Sequence, residues 1–185
     1  MEKVSRRSFI KKTATTAAAT GILLGTSKTS WAGANDRVRV CVMGINGRGK
    51  SHLSNYGAMK DVDVTSICDV DSRLFTSALR DSFTKRGMAA PKMEQDIRKV
   101  LEDKDVDAIS IATPNHWHSL ATIWACQAGK DVYVEKPMTH NIYEGKKVVE
   151  AAKKYKRVVQ HGTQLRSNPG FIEGINALKN GLIGD

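Results

Sequence analysis

Between Gly44 and Ser51 the chain reads Gly-Ile-Asn-Gly-Arg-Gly-Lys-Ser, directly after the apolar run Val38–Met43. Two phosphate-binding spacings fit this stretch. One is G-x-x-x-x-G-K-[ST], the loop that cradles a nucleoside triphosphate. The other is the dinucleotide turn G-x-G-x-x-G, with Asn46 in the second glycine's place and Gly47 one position later. In either reading Gly44, Ile45, Asn46, Gly47, Arg48 and Gly49 bring backbone N–H groups and the positive end of a helix to an anion. A nucleotide is the expected ligand, and residues elsewhere must decide which one.

The first of these is Asp69. A dinucleotide site needs a carboxylate at the end of the second strand, where it accepts hydrogen bonds from ribose hydroxyls. Val62–Cys68 reads as that strand, and Asp69 follows it, 25 residues after Gly44. A triphosphatase would place a magnesium-holding Asp on a later strand. Here the later strand, Ala108–Ala112, runs into Thr113-Pro114 without a carboxylate. The balance favours NAD, and NAD over NADP because a carboxylate repels a 2′-phosphate. The phosphate-loop nucleotide hydrolase stays as the alternative, and a non-catalytic nucleotide-binding fragment as a third reading.

Two further clusters stand at strand ends, where open α/β sheets bind ligands. Thr113, Pro114 and Asn115 follow the third long strand, with His116 and His118 close behind. Asn115 is also a good N-cap residue. The two histidines diverge by roughly 200° at a helix start, so they do not share a metal, and no metal site is expected. Glu135-Lys136-Pro137 ends the next strand. A lysine there can accept or relay a proton, although a pair of strand-end loop charges is the plainer reading. Gln164 and Arg166 follow the last strand and are weaker candidates for cofactor or substrate contact.

These residues need an alternating frame. Strands are expected near 38–43, 62–68, 106–112, 131–134 and 157–160. Helices are expected near 48–59, 71–86, 94–103, 116–129, 141–155 and 169–180, with 87–91 a turn-like break. Short β-branched runs between amphipathic segments imply βαβ units and a parallel sheet covered on both faces. The fold class is therefore α/β, a doubly wound Rossmann-type sheet over residues 35–185. Cys41, Cys68 and Cys126 lack C-x-x-C spacing and read as small core residues.

With Ala112–His118 and Ala128–Pro137 in place, residues 36–185 resemble the N-terminal domain of the Gfo/Idh/MocA oxidoreductases, the family of glucose–fructose oxidoreductase and inositol 2-dehydrogenase. The resemblance implies an NAD-dependent oxidoreductase acting on a sugar or polyol. It implies that Lys136 serves the chemical step and that His118 lines the nicotinamide side of the cleft. It also implies cofactor contacts from Thr113, Pro114, Asn115, Glu135 and Lys136. Family members carry a C-terminal α+β substrate domain. Asn180–Asp185 reads as a helix end leading into another strand, so these residues are expected to be the cofactor-binding half of a longer enzyme. A homo-oligomer remains open.

Residues 1–34 are expected to be a signal peptide. Ser5-Arg6-Arg7-Ser8-Phe9-Ile10-Lys11 has a twin-arginine signature. Thr13–Gly25 is too short and too weakly apolar to span a membrane. Ser30-Trp31-Ala32 and Ala32-Gly33-Ala34 are both cleavage candidates. Export through the twin-arginine machinery to the periplasm or beyond is the expectation, with no membrane span in the mature form. The leader carries six cations against Glu2, so half of the formal charge of +10 leaves with it. The remaining basic residues lie scattered on helices without interleaved aromatics, which argues against nucleic-acid binding.

Overall fold

The computed structural model describes residues 37–184, so the leader and its cleavage sites lie outside the described residues. Six parallel strands make one sheet in the order β3-β2-β1-β4-β5-β6. They are β1 (Val38–Met43), β2 (Val62–Cys68), β3 (Lys92–Glu94), β4 (Ala108–Ile111), β5 (Asp131–Glu135) and β6 (Val159–Gly162). Helices connect them: α1 (Arg48–Tyr56), α2 (Ser77–Thr84), α3 (Ile97–Glu102), α4 (His118–Gln127) and α5 (Ile142–Tyr155), with α6 (Pro169–Lys179) after β6. Parallel strands joined by crossover helices leave the strand order to reverse beside β1, between β1 and β4. That crevice is the ligand position of the doubly wound fold.

Alternation along β1 sets up two cores. Cys41 and Met43 point to one face, where they pack with Ile109, Ile111, Val132 and Val134 under Ala121 and Ala125 of α4. Val40 and Val42 point to the other, with Ile67, Leu53 of α1 and Phe83 of α2. Each such aliphatic side chain stabilises by about 1.5–3 kcal/mol when fully buried. Cys41, Cys68 and Cys126 are free and buried within this packing. Burial, and after it Asp69 and Glu94, push the Cys68 thiol up to about 12, so it stays protonated and inert.

The expected frame holds for β1 and β2 residue for residue, and other elements move. The single helix expected over 71–86 is two pieces, a 3₁₀ turn Ser72–Leu74 and α2. The break has a local cause: Asp71 accepts from the Arg73 N–H, and Thr76 restarts the chain by accepting from the Leu79 N–H. Strand β3, paired with Ser66–Cys68, was not expected because three residues carry no readable alternation. The helix expected at 94–103 begins later, at Ile97, since Asp96 caps it through the Arg98 N–H. The last strand lies two residues further on than expected and ends at Gly162. No described helix is long and apolar enough to cross a membrane.

Candidate functional site

The glycine turn lies at the crevice. Gly44 takes a left-handed φ of +83°, and a Cβ there would stand 2.7 Å from the Thr113 backbone nitrogen. Its N–H is held by the Cys68 carbonyl at 2.8 Å. A Cβ at Gly49 would strike the Gly44 carbonyl oxygen. Only glycines allow the turn to close this tightly, and a tight turn lets a pyrophosphate approach the backbone. Helix α1 begins at Arg48, with Gly47 as a cap that offers no side chain and no acidic residue in the first turn. Arg48 and Lys50 instead put two cations at the positive end of the helix. Glu135 offsets Arg48 in part, at 3.0 Å from its Nε, and a bound anion would offset the rest.

Asp69 closes the turn from the next strand. Its Oδ2 accepts the Ile45 N–H at 2.8 Å and its Oδ1 accepts the Asp71 N–H at 3.0 Å. The carboxylate therefore shapes the phosphate turn as well as facing the cleft. A cleft of about 680 Å³ opens beside it, walled by Gly44, Asp69, Val70, Ile97, Thr113, Pro114, His116 and Trp117. The Thr113 hydroxyl is buried without a hydrogen-bond partner. Buried polar atoms rarely stay orphaned, so this one awaits a ligand atom or water. The cradle that tolerates no Cβ, the carboxylate and the orphan hydroxyl fit a dinucleotide.

The phosphate-loop reading fits poorly. Four residues, 44–47, separate β1 from α1, so Lys50 already lies inside the helix and is exposed. Of the two strands beside β1, β4 ends at Ile111 with no carboxylate after it, and the carboxylate after β2, Asp69, already accepts from the Ile45 and Asp71 N–H groups.

His118 requires a correction. It is 1 % exposed and does not line the cleft. Its Nδ1 lies 2.6 Å from the Pro137 carbonyl oxygen and its Nε2 lies 2.8 Å from that of Thr113. The ring is a strut between two strand-end loops, because residue 118 already belongs to α4, whose inner face is buried. His116, two residues earlier in a 3₁₀ turn, is the histidine that reaches the cleft. Asn115 is also placed differently: it opens that 3₁₀ turn, is exposed, and makes no capping bond.

Lys136 is exposed at the end of β5, and the Lys136–Pro137 peptide is cis. Glu135 faces the other way, 6 % exposed. Its Oε1 receives Arg48 Nε at 3.0 Å, His52 Nε2 at 3.1 Å and Gln164 Nε2 at 2.9 Å. The Lys136 N–H reaches Oε2 at 3.3 Å. Tyr56 donates to Ser110, and Ser110 stands 2.8 Å from His52 Nδ1. Because a carboxylate only accepts, the chain runs Tyr56 to Ser110 to His52 to Glu135, with the His52 proton on Nε2. Ser, His and Glu occur here in the order of a nucleophile triad. Yet Ser110 is 1 % exposed inside β4, where no acyl group can reach it.

This network is not evident from the sequence. Two signals carried it: His52 lies four residues after Arg48 on one helix face, and Ser110 interrupts an apolar strand. Burial raises the Glu135 carboxyl, but hydrogen bonds from Arg48, His52 and the Lys136 N–H outweigh it and hold it below the usual carboxylate range. A depressed carboxylate contributes stability above its unfolded pKa of about 4.3 and loses it as pH falls through the lower folded value. Glu135→Gln should therefore flatten the fall in unfolding free energy below pH ~4 in denaturant titrations. An unchanged acid limb would refute this assignment.

Comparison with known proteins adds the lineage. Residues 38–163, well over half of the chain, match the model of the oxidoreductase family with an NAD-binding Rossmann fold. A protein of Solibacter usitatus named glycosyl hydrolase family 109 protein is 31% identical, over 100% of this chain and 44% of the relative. A probable dehydrogenase from Thermotoga maritima superposes with a TM-score of 0.65 at 28% identity, over 80% of this chain and 42% of that one. A 3-ketoreductase from Actinomadura kijaniata, solved with NADP and TDP-benzene, gives a TM-score of 0.68 at 23% identity, over 80% and 44%, and so speaks for the fold. The chain thus spans less than half the length of these relatives. With its glycine turn, its strand-end carboxylate and its β3-β2-β1-β4-β5-β6 sheet, this chain belongs to the Gfo/Idh/MocA oxidoreductase family, on its NAD-binding Rossmann side.

Proposed function

We propose that residues 35–185 are the cofactor-binding domain of an NAD-dependent oxidoreductase that acts on a sugar, a polyol or a related hydroxy compound. The observation that carries this is the turn at Gly44, closed by Asp69 through the Ile45 N–H and opening on the cleft at the crevice between β1 and β4. Bound nicotinamide supplies hydride exchange with a substrate carbon. The chain's own part is to seat the phosphates on the turn, to hold the adenosine side beside Asp69, and to present Lys136 at the end of β5 as proton acceptor. Substrate contacts beyond Lys136 belong to the further length that relatives possess. Supplying the complete protein with NAD and a panel of sugars and polyols should yield reduced cofactor. No reduction with any hydroxy compound would count against this reading.

One observation favours a second reading. The Solibacter relative is named a glycosyl hydrolase, and hydride transfer can serve a hydrolysis if the hydride returns before release. In that case glycosides are cleaved, the reaction needs NAD, and no net NADH accumulates.

Cofactor choice follows from Asp69. Its carboxylate repels a 2′-phosphate, and the nearby cations are engaged: Arg73 is tied to Asp71 by contacts of 2.8 and 2.7 Å, and Arg98, which lines the cleft, to Asp96 by contacts of 2.9 and 2.6 Å. NADH should bind more tightly than NADPH. Asp69→Ser should narrow the gap and weaken both, because the Ile45 N–H loses its acceptor. Protein purified with NADP bound would contradict the preference.

Residues 1–34 are assigned to twin-arginine export on the strength of Arg6-Arg7 and the small-residue cleavage candidates. Arg6→Lys with Arg7→Lys should leave unprocessed protein in the cytoplasm. Unchanged delivery would reject this route.

A further inference from the structure

Glu135 is the only described carboxylate on which the phosphate turn, the E-K-P segment and the loop after β6 converge. One of its oxygens accepts from three side chains on two elements: Arg48 on α1, His52 one turn further along the same helix, and Gln164 after β6. Its other oxygen faces the Lys136 N–H. The side chain is 8 % exposed, whereas that of Arg48 is 52 % exposed. The pair is thus buried on its carboxylate side and open on its guanidinium side. The Arg48 Nε is spent on Glu135, which leaves the four N–H bonds of its two terminal nitrogens. These sit on the first residue of α1, next to Gly47 and Gly49, at a helix end that already lacks any acidic or capping side chain.

We propose that Glu135 is a positioning residue for the cofactor's pyrophosphate. It holds the Arg48 guanidinium by one edge so that the other edge meets a phosphate oxygen, and it does not touch the cofactor itself. This rests on the dinucleotide reading above and adds a residue that acts through another. The planar fork is what makes the arrangement work, because one cation bridges two anions on separate edges. The buried chain from Tyr56 through Ser110 to His52 fixes the carboxylate oxygen that Arg48 meets.

A double-mutant cycle on NADH affinity tests this, with the complete protein and NADH titrated at neutral pH. Arg48→Ala should weaken NADH about ten-fold, the usual worth of one charge-assisted hydrogen bond. Glu135→Gln should weaken it several-fold when Arg48 is present and have no further effect once Arg48 is alanine. Glu135→Asp, which keeps a carboxylate, should recover part of the loss, and it carries the same test should the glutamine variant fold poorly. A merely structural Glu135 would instead weaken NADH by the same factor in both backgrounds, and that additivity would overturn the proposal. Wild-type protein that binds no NADH would overturn the dinucleotide reading itself, whereas binding with additive effects would overturn only the role of Glu135.

Discussion

Replacing Lys136 with alanine in the complete enzyme should lower turnover by on the order of 10²–10⁴, the usual worth of one general acid–base group. The dissociation constant for NADH should stay within a few-fold of wild type. The two effects should separate because the proposed phosphate seat is elsewhere, at the Gly44–Gly49 turn with Asp69 behind it. Lys136 is exposed at the end of β5, outside that turn, and is proposed to act there through its neutral amine. Lys136→Arg should not restore turnover, since a guanidinium stays protonated and cannot accept a proton. Steady-state kinetics beside NADH titration give both numbers. If both variants turn over at wild-type rates, Lys136 is a strand-end charge and the assigned chemistry is wrong.

The second large effect is expected at Gly44. An alanine there must hold a φ of +83° and place its Cβ 2.7 Å from the Thr113 nitrogen and 2.8 Å from the Ala112 carbonyl carbon. Left-handed backbone costs about 1–2 kcal/mol, and forcing the β1 and β4 ends apart about 1–3 more. Against a typical total of about 5–15 kcal/mol, that is a large share of stability. Binding should suffer further, because the displaced segment carries Thr113 and the cleft wall. Gly129 is the control: its φ is +76°, but a Cβ there would meet nothing within 4 Å. Gly129→Ala should therefore cost only the backbone strain and leave NADH affinity intact. Chemical denaturation and NADH titration of the two variants check this. Equal losses at both positions would mean that close packing at the crevice is not what Gly44 provides.

Much of this architecture could be read from the chain, and the exceptions have local causes. The β1 and β2 runs are β-branched and bounded by turn residues, so their limits follow from pattern alone. The glycine turn and Asp69 were legible because their chemistry dictates spacing. β3 was not, since three residues at a sheet edge borrow their conformation from Ser66–Cys68. The helix over 71–86 looked continuous because periodicity survives the interruption, while Asp71 and Thr76, both capping types, mark the true boundaries. His118 shows the limit most plainly. Its sequence neighbourhood matched a family motif, but whether position 116 or 118 faces the cleft depends on where the 3₁₀ turn becomes α4. The network around Glu135 was hidden because its members come from α1, β4, β5 and the segment after β6, far apart in the chain. Only the pairing of β4 with β5 and the crossing of α1 bring them together.

Calorimetric titration of the purified protein with NADH, then separately with Mg-ATP, tests most directly whether the crevice between β1 and β4 is a dinucleotide site. NADH binding should be saturable, weakened by Asp69→Ser and left nearly unchanged by Lys50→Ala, with Mg-ATP competing poorly. Tight Mg-ATP binding that requires both Lys50 and magnesium, with no heat from NADH, would contradict a dinucleotide site.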